Sequence, residues 1–130
     1  AGSSAQLALD FVMQLNFMGY DAVAVSDPVV MDMYSRRFSD RDVFIGVSRS
    51  GRTKMILDTL KEAKRRGAYC AFVSNYVNSP AAQICDSFFC TSRVDDIKPL
   101  LNRESNLPMH ALFAALLVLI SRKSGFYKSV

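Results

Sequence analysis

Histidine is nearly absent from this chain: His110 is the single one in 130 residues. That excludes the multi-histidine metal sites, and the carboxylates alone show no recognisable metal-ligand spacing. Cysteine is scarce as well. Cys70, Cys85 and Cys90 are an odd set of three with no C-x-x-C pair, which predicts buried, reduced thiols in a cytosolic protein. Long apolar runs are missing: the longest, 111–120, is about half of what a bilayer-spanning helix needs. The opening residues carry no basic stretch or cleavage pattern of a secretory leader. The expectation is a soluble, cytoplasmic protein with no membrane partner. Excess charge is small, 16 Lys and Arg against 12 Asp and Glu, a net +4 that weakly favours anions and does not argue for nucleic acid. There is no internal repeat and no linker, and the length fits one domain.

Helical and strand-like segments alternate along the chain. Leu7, Phe11, Leu15 and Met18 repeat at helical spacing, and Gly19 stops that helix. "DAVAV" (21–25) reads as a short strand. Asp27-Pro28 opens a helix to about Phe38 as an N-cap followed by Pro. "DVFIGVS" (42–48) reads as a strand with both faces covered, since its apolar residues do not alternate with polar ones. Ile56, Leu60 and Ala63 mark the apolar face of a helix that Gly67 ends, with Glu62 and Arg66 placed to pair. "AYCAFVS" and "DSFFC" are further strands, separated by a short helix that Ser79-Pro80 starts. Thr91 to Asn106 is irregular. A helix from about Leu107 to Lys123 has no polar face and must be buried in a core or an interface. Such alternation predicts an α/β fold with a parallel sheet and helices on both faces. The chain opens on Ala1-Gly2-Ser3-Ser4, a turn-like stretch that in such a sheet normally follows a strand.

The most informative stretch is "VSRSGRT", residues 47–53. It would lie at the carboxyl end of a strand, where open parallel sheets bind ligands. The N–H groups opening the next helix have no intrahelical partner and carry partial positive charge. Gly51 allows close backbone approach to a ligand, and Ser48, Ser50 and Thr53 supply hydroxyls. A phosphate matches those donors. The same residues also suit a plain turn and helix cap, and composition alone weighs the two evenly. Neither G-x-x-x-x-G-K-[ST] nor G-x-G-x-x-G occurs. "GVSRS" misses the hydrolase G-x-S-x-G at position 50. Ser48, Asp95 or Asp96, and His110 keep that triad's chain order, but the spacing is too short to favour it. Arg36, Arg37 and Arg41 form either a basic patch or, in the favoured reading, a solvated face.

"DVFIGVSRSGRTKMILDTLKEAKRRGAYCAFVSN" followed by "SPAAQICDSFF" resembles the sugar isomerase (SIS) domain, and the resemblance covers nearly the whole chain. "GSSAQLA" is similar to the family's first ligand loop. "ALDFVMQLNFMGYDAVAVSD" resembles the branch found in RpiR-type transcriptional regulators. The resemblance implies a three-layer α-β-α sandwich with a flavodoxin-like parallel sheet in order 2-1-3-4-5, the first strand missing from this sequence. It implies one SIS domain over 1–130, truncated at its N-terminus, with a helix-turn-helix domain upstream as the only route to DNA. Ser48, Arg49, Ser50, Gly51 and Thr53 would hold the phosphate of a phosphorylated monosaccharide. Ser4 would contact the sugar or its phosphate, Ser74 or Asn75 would line the pocket, and Glu104 would lie near the sugar hydroxyls. Many members carry Glu at the position of Arg52, which here either adds charge near the phosphate or, as favoured, faces solvent. No cofactor or metal is implied. A sensor domain is favoured over an aldose–ketose isomerase, which would need a base, with Glu104 and His110 as the candidates. The wide apolar arcs of the first and last helices predict a homodimer or higher homo-oligomer.

Overall fold

The computed structural model describes residues 2–91 together with Phe113 and Leu116, with side chains from Ala5 onward. The chain divides into two units, Ala1–Ala24 with Arg93–Val130, and Val25–Ser92.

In the first unit, helix α1 spans Gly2–Phe17. Leu7 and Phe11 are buried on one face, and Phe11 packs on the ring of Phe113, centroids 4.6 Å apart. Gly19 ends the helix with φ +94°, a conformation that costs glycine nothing. The amide of Asn16 then brackets Ala22, donating to its carbonyl and accepting its N–H. Residues 21–25 are not a strand, against expectation. A β-propensity run becomes a strand only when a neighbour supplies the ladder, and no described strand pairs with this one.

The second unit holds the sheet. Strands β1 (Val43–Val47), β2 (Tyr69–Ser74) and β3 (Ser87–Cys90) run parallel in the order β1-β2-β3. The register sets Gly46 beside Phe72 and Phe72 beside Phe88. Helix α2 (Pro28–Ser35) starts as expected: the Asp27 carboxylate accepts the N–H groups of Val29 and Val30. It ends at Ser35 rather than at Phe38. The Ser35 hydroxyl bonds back to the Asp32 carbonyl, and Phe38 leaves the helix to meet Phe44 edge-on.

Helix α3 (Lys54–Arg65) covers the sheet. Leu60 and Ala63 are fully buried with Cys70, Phe72 and Ala81, and Ile56, Leu57, Phe38 and Phe44 pack around them. Burying a side chain the size of Leu or Phe contributes about 1.5–3 kcal/mol, so this cluster carries much of the unit's stability. The outer face of α3 is laced by Lys54–Asp58 and by Glu62 with Arg65 and Arg66. Gly67, φ +92°, turns the chain into β2.

A 3₁₀ helix, Pro80–Gln83, leads to Asp86. Asp86 pins the start of β3 to β2: its carboxylate accepts the Cys70 N–H, and its own N–H donates to the Cys70 carbonyl. Lys64 and then that Cys70 N–H hold the Asp86 carboxyl below the usual range.

Two expectations need correction. Strand β1 is not covered on both faces, because Val43 and Ile45 are exposed while Gly46 is buried. It is an edge of the described sheet, so the side chains opposite the α3 face lack the neighbouring strand's side chains. Nor are all three thiols buried. Cys70 is, and burial raises its pKa, whereas Cys90 ends β3, an edge of the described sheet, and is exposed. Arg36, Arg37 and Arg41 are exposed, with Arg36 paired to Asp32 and Arg37 over the Tyr34 ring. No helix among the described residues is long and apolar enough to cross a membrane.

Candidate functional site

The loop between β1 and α3 lies at the carboxyl end of the parallel strands. Ser48 continues β1 by one hydrogen bond, its N–H to the Val73 carbonyl at 3.0 Å. The residue is only 5% exposed, and its side chain organises the loop. Ser48 Oγ accepts the Gly51 N–H at 3.1 Å and lies 2.9 Å from Thr53 Oγ1 and 3.4 Å from Ser50 Oγ. Three hydroxyls thus converge, with those of Ser50 and Thr53 on exposed residues. A second bond runs from the Arg52 N–H to Ser50 Oγ at 3.1 Å, which fixes the Ser50 rotamer.

Thr53 is the N-cap of α3, with extended φ/ψ of −66° and 112°, yet its side chain makes no capping bond. The hydroxyl that would cap the helix turns to Ser48 instead. The first intrahelical bond is Leu57 N–H to the Thr53 carbonyl. The N–H groups of Lys54, Met55 and Ile56 therefore stay unsatisfied within the helix, at its positive end. That is the donor arrangement an anion uses. It also weakens the plain-cap explanation of this loop's composition.

Gly51 has φ +68° and is buried. A Cβ there would lie 2.4 Å from Ser79 Cβ and Oγ and 2.7 Å from Ser74 Oγ. The glycine lets the loop approach two serines behind it, rather than letting a ligand approach from in front.

Those serines come from the end of β2 and the turn that follows. Ser74, fully buried, donates to the Arg49 carbonyl at 3.1 Å and accepts the Tyr76 N–H. Ser79 donates to the Gly51 carbonyl at 2.6 Å and accepts the Ala81 N–H. Asn75 donates its backbone N–H to the Arg49 carbonyl, and its side-chain oxygen accepts the Thr91 hydroxyl at 2.7 Å. Arg52 is exposed and reaches across to the Asn78 carbonyl at 3.4 Å.

Of the residues singled out from sequence, Ser48, Arg49, Ser50, Gly51 and Thr53 form one loop, with Ser74 and Asn75 directly behind it. Ser4 lies in the first turn of α1, where Gly2 and Ser3 are helical as well, rather than in an open turn. Glu104, His110, Asp95 and Asp96 lie outside the described residues. Sequence reasoning missed Ser79 and Thr91 as parts of this assembly. The Ser-Pro pair signalled a helix start, and nothing in the pattern told of the second bond that Ser79 makes.

Fold and loop together define a parallel α/β protein with a hydroxyl-rich turn at the carboxyl edge of its sheet. The family model of the SIS domain matches residues 1–119, and the chain belongs to that family. Among curated relatives it is 27% identical over 106 residues to the transcriptional regulator RpiR of Escherichia coli, covering 82% of this chain and 35% of RpiR. It is 31% identical over 86 residues to the 3-hexulose-6-phosphate isomerase of Methylomonas aminofaciens, covering 66% of this chain and 45% of that enzyme. The solved structure of the Vibrio vulnificus NanR protein complexed with ManNAc-6P shares the fold. Its TM-score is 0.84 at 22% identity, over 99% of this chain and 49% of NanR. The chain spans less than half the length of these curated relatives.

Proposed function

We infer that this domain binds a phosphorylated monosaccharide through the 48–53 loop and serves as the effector-sensing part of an RpiR-type transcriptional regulator. DNA would be bound by a separate helix-turn-helix domain. The observation that carries the reading is the turn itself. Ser50 and Thr53 hydroxyls sit beside the uncapped N–H groups of α3, with Ser48 holding them together. Arg52, exposed on the same loop, adds positive charge near it. The likeness to RpiR supports the regulator reading, and the sugar-phosphate ligand of NanR supports the ligand class. Ser74 and Asn75 would shape the floor of the site.

The domain would act in the cytoplasm as a homodimer. Leu9 and Met13, 47% and 67% exposed on α1, offer apolar surface for a second copy. A monomer by light scattering at micromolar concentration contradicts that part.

The likeness to 3-hexulose-6-phosphate isomerase favours a second reading, an aldose–ketose isomerase with Glu104 or His110 as the base. Calorimetry against a panel of sugar phosphates and their unphosphorylated sugars tests the ligand class. Binding confined to the phosphorylated members is expected, and equal binding of both overturns it. An interconversion assay on the same panel separates the readings: turnover that is lost in Glu104→Gln replaces the sensor by the enzyme.

A further inference from the structure

Two buried hydroxyls behind the loop do the same thing at alternate positions. Ser74 ties the Arg49 carbonyl, and Ser79 ties the Gly51 carbonyl. Each serine is saturated in a way its chemistry allows, with its one proton donated to the loop and a lone pair receiving an N–H of its own segment. Ser74 is fully buried and Ser79 is 3% exposed.

A trans peptide holds its C=O and N–H on opposite sides. Tying the Arg49 carbonyl inward therefore turns the Ser50 N–H outward, and that group meets no acceptor among the described residues. Tying the Gly51 carbonyl inward turns the Arg52 N–H the other way, onto Ser50 Oγ, which sets the hydroxyl's direction. Both carbonyls are electron-rich and would repel a phosphate if they faced it. Gly51 has no Cβ where Ser79 would otherwise collide, so the brace and the glycine require each other.

We propose that Ser79 is a positioning residue of the anion site: its hydroxyl holds the Gly51 carbonyl away from the ligand and thereby orients the Ser50 hydroxyl toward it, with Ser74 as the parallel brace on Arg49. This rests on the sugar-phosphate reading of the loop. It assigns the turn after β2 a role beyond starting a short helix.

The test uses the full chain, Ser79→Ala, and Ser79→Cys as a variant that keeps the volume but donates weakly. The first readout needs no ligand. Amide hydrogen exchange at Gly51 and Arg52 should quicken about tenfold or more in both variants, while Cys70 and Phe72 in β2 keep their protection. The second readout is calorimetry with ManNAc-6P, other sugar phosphates and the matching unphosphorylated sugars. The ratio of phosphorylated to unphosphorylated affinity should fall about tenfold or more.

Unchanged loop exchange overturns the brace. Faster exchange with an unchanged affinity ratio overturns the positioning role while leaving the ligand reading intact. A wild-type chain that binds no sugar phosphate overturns the ligand reading, and the positioning role with it. Variants that lose protection in β2 as well as in the loop show a merely structural serine and overturn the proposal too.

Discussion

The Ser79 hydroxyl meets the Gly51 carbonyl at 2.6 Å, joining two turns that lie 28 positions apart in the chain. Behind that bond a Cβ on Gly51 has no room. Gly51→Ala should therefore destabilise the fold by about 2–4 kcal/mol, adding the cost of a left-handed backbone to that of displacing Ser79. Gly19 is the control. Its φ is +94° but nothing lies within 4 Å of a built Cβ, so Gly19→Ala should cost only about 1–2 kcal/mol. Urea unfolding of both variants checks the difference, and equal losses contradict the packing described.

Gly46 in β1 faces Phe72 in the same way. A Cβ there would lie 2.6 Å and 2.7 Å from two ring carbons of the fully buried Phe72. Gly46→Ala should cost about 1–3 kcal/mol from overpacking. Gly46→Ala combined with Phe72→Leu should recover part of that loss, giving a coupling of about 0.5–3 kcal/mol in a double-mutant cycle. Strict additivity would show that the two positions do not share space.

Glu62 sits 2.6 Å from both Arg65 and Arg66. Hydrogen bonds from Arg65, then from Arg66, bring its carboxyl from 4.5 down to about 2. A carboxylate depressed on folding stabilises the native state fully above its unfolded pKa, and that contribution disappears as pH falls through the folded value. The window therefore runs from about pH 4.5 to about pH 2. Across it the wild-type chain should lose more stability than Glu62→Gln, measured by denaturant unfolding at a series of pH values. Parallel pH profiles would contradict the pairing.

Most of the second unit was legible because its signals are local. Asp27-Pro28 and Ser79-Pro80 are caps whose side chains bond within three residues. Ile56, Leu60 and Ala63 lie on one face of one helix, and Gly67 stops it by its own φ. The turn between β1 and α3 could be read for the same reason, since Ser48 to Thr53 are contiguous. What could not be read depends on partners. Residues 21–25 have strand composition but no ladder among the described residues. Val43 and Ile45 look like core residues until their neighbours are known. The brace from Ser79 to Gly51 spans two elements, and no spacing rule reports a bond of that kind. Arg52 shows the same limit: its reach to Asn78 depends on where the second turn folds.

The central claim is that the 48–53 loop holds a sugar's phosphate, and titration of one sugar phosphate into two proteins tests it most directly. The proteins are the wild-type chain and the Ser50→Ala, Thr53→Ala double variant. Both residues are exposed, so the variant should keep its fold by circular dichroism. Each lost hydrogen bond to a charged group is worth about 1.5–3 kcal/mol, so the account predicts at least a hundredfold weaker binding of the phosphorylated sugar. Equal affinity in the two proteins would contradict it.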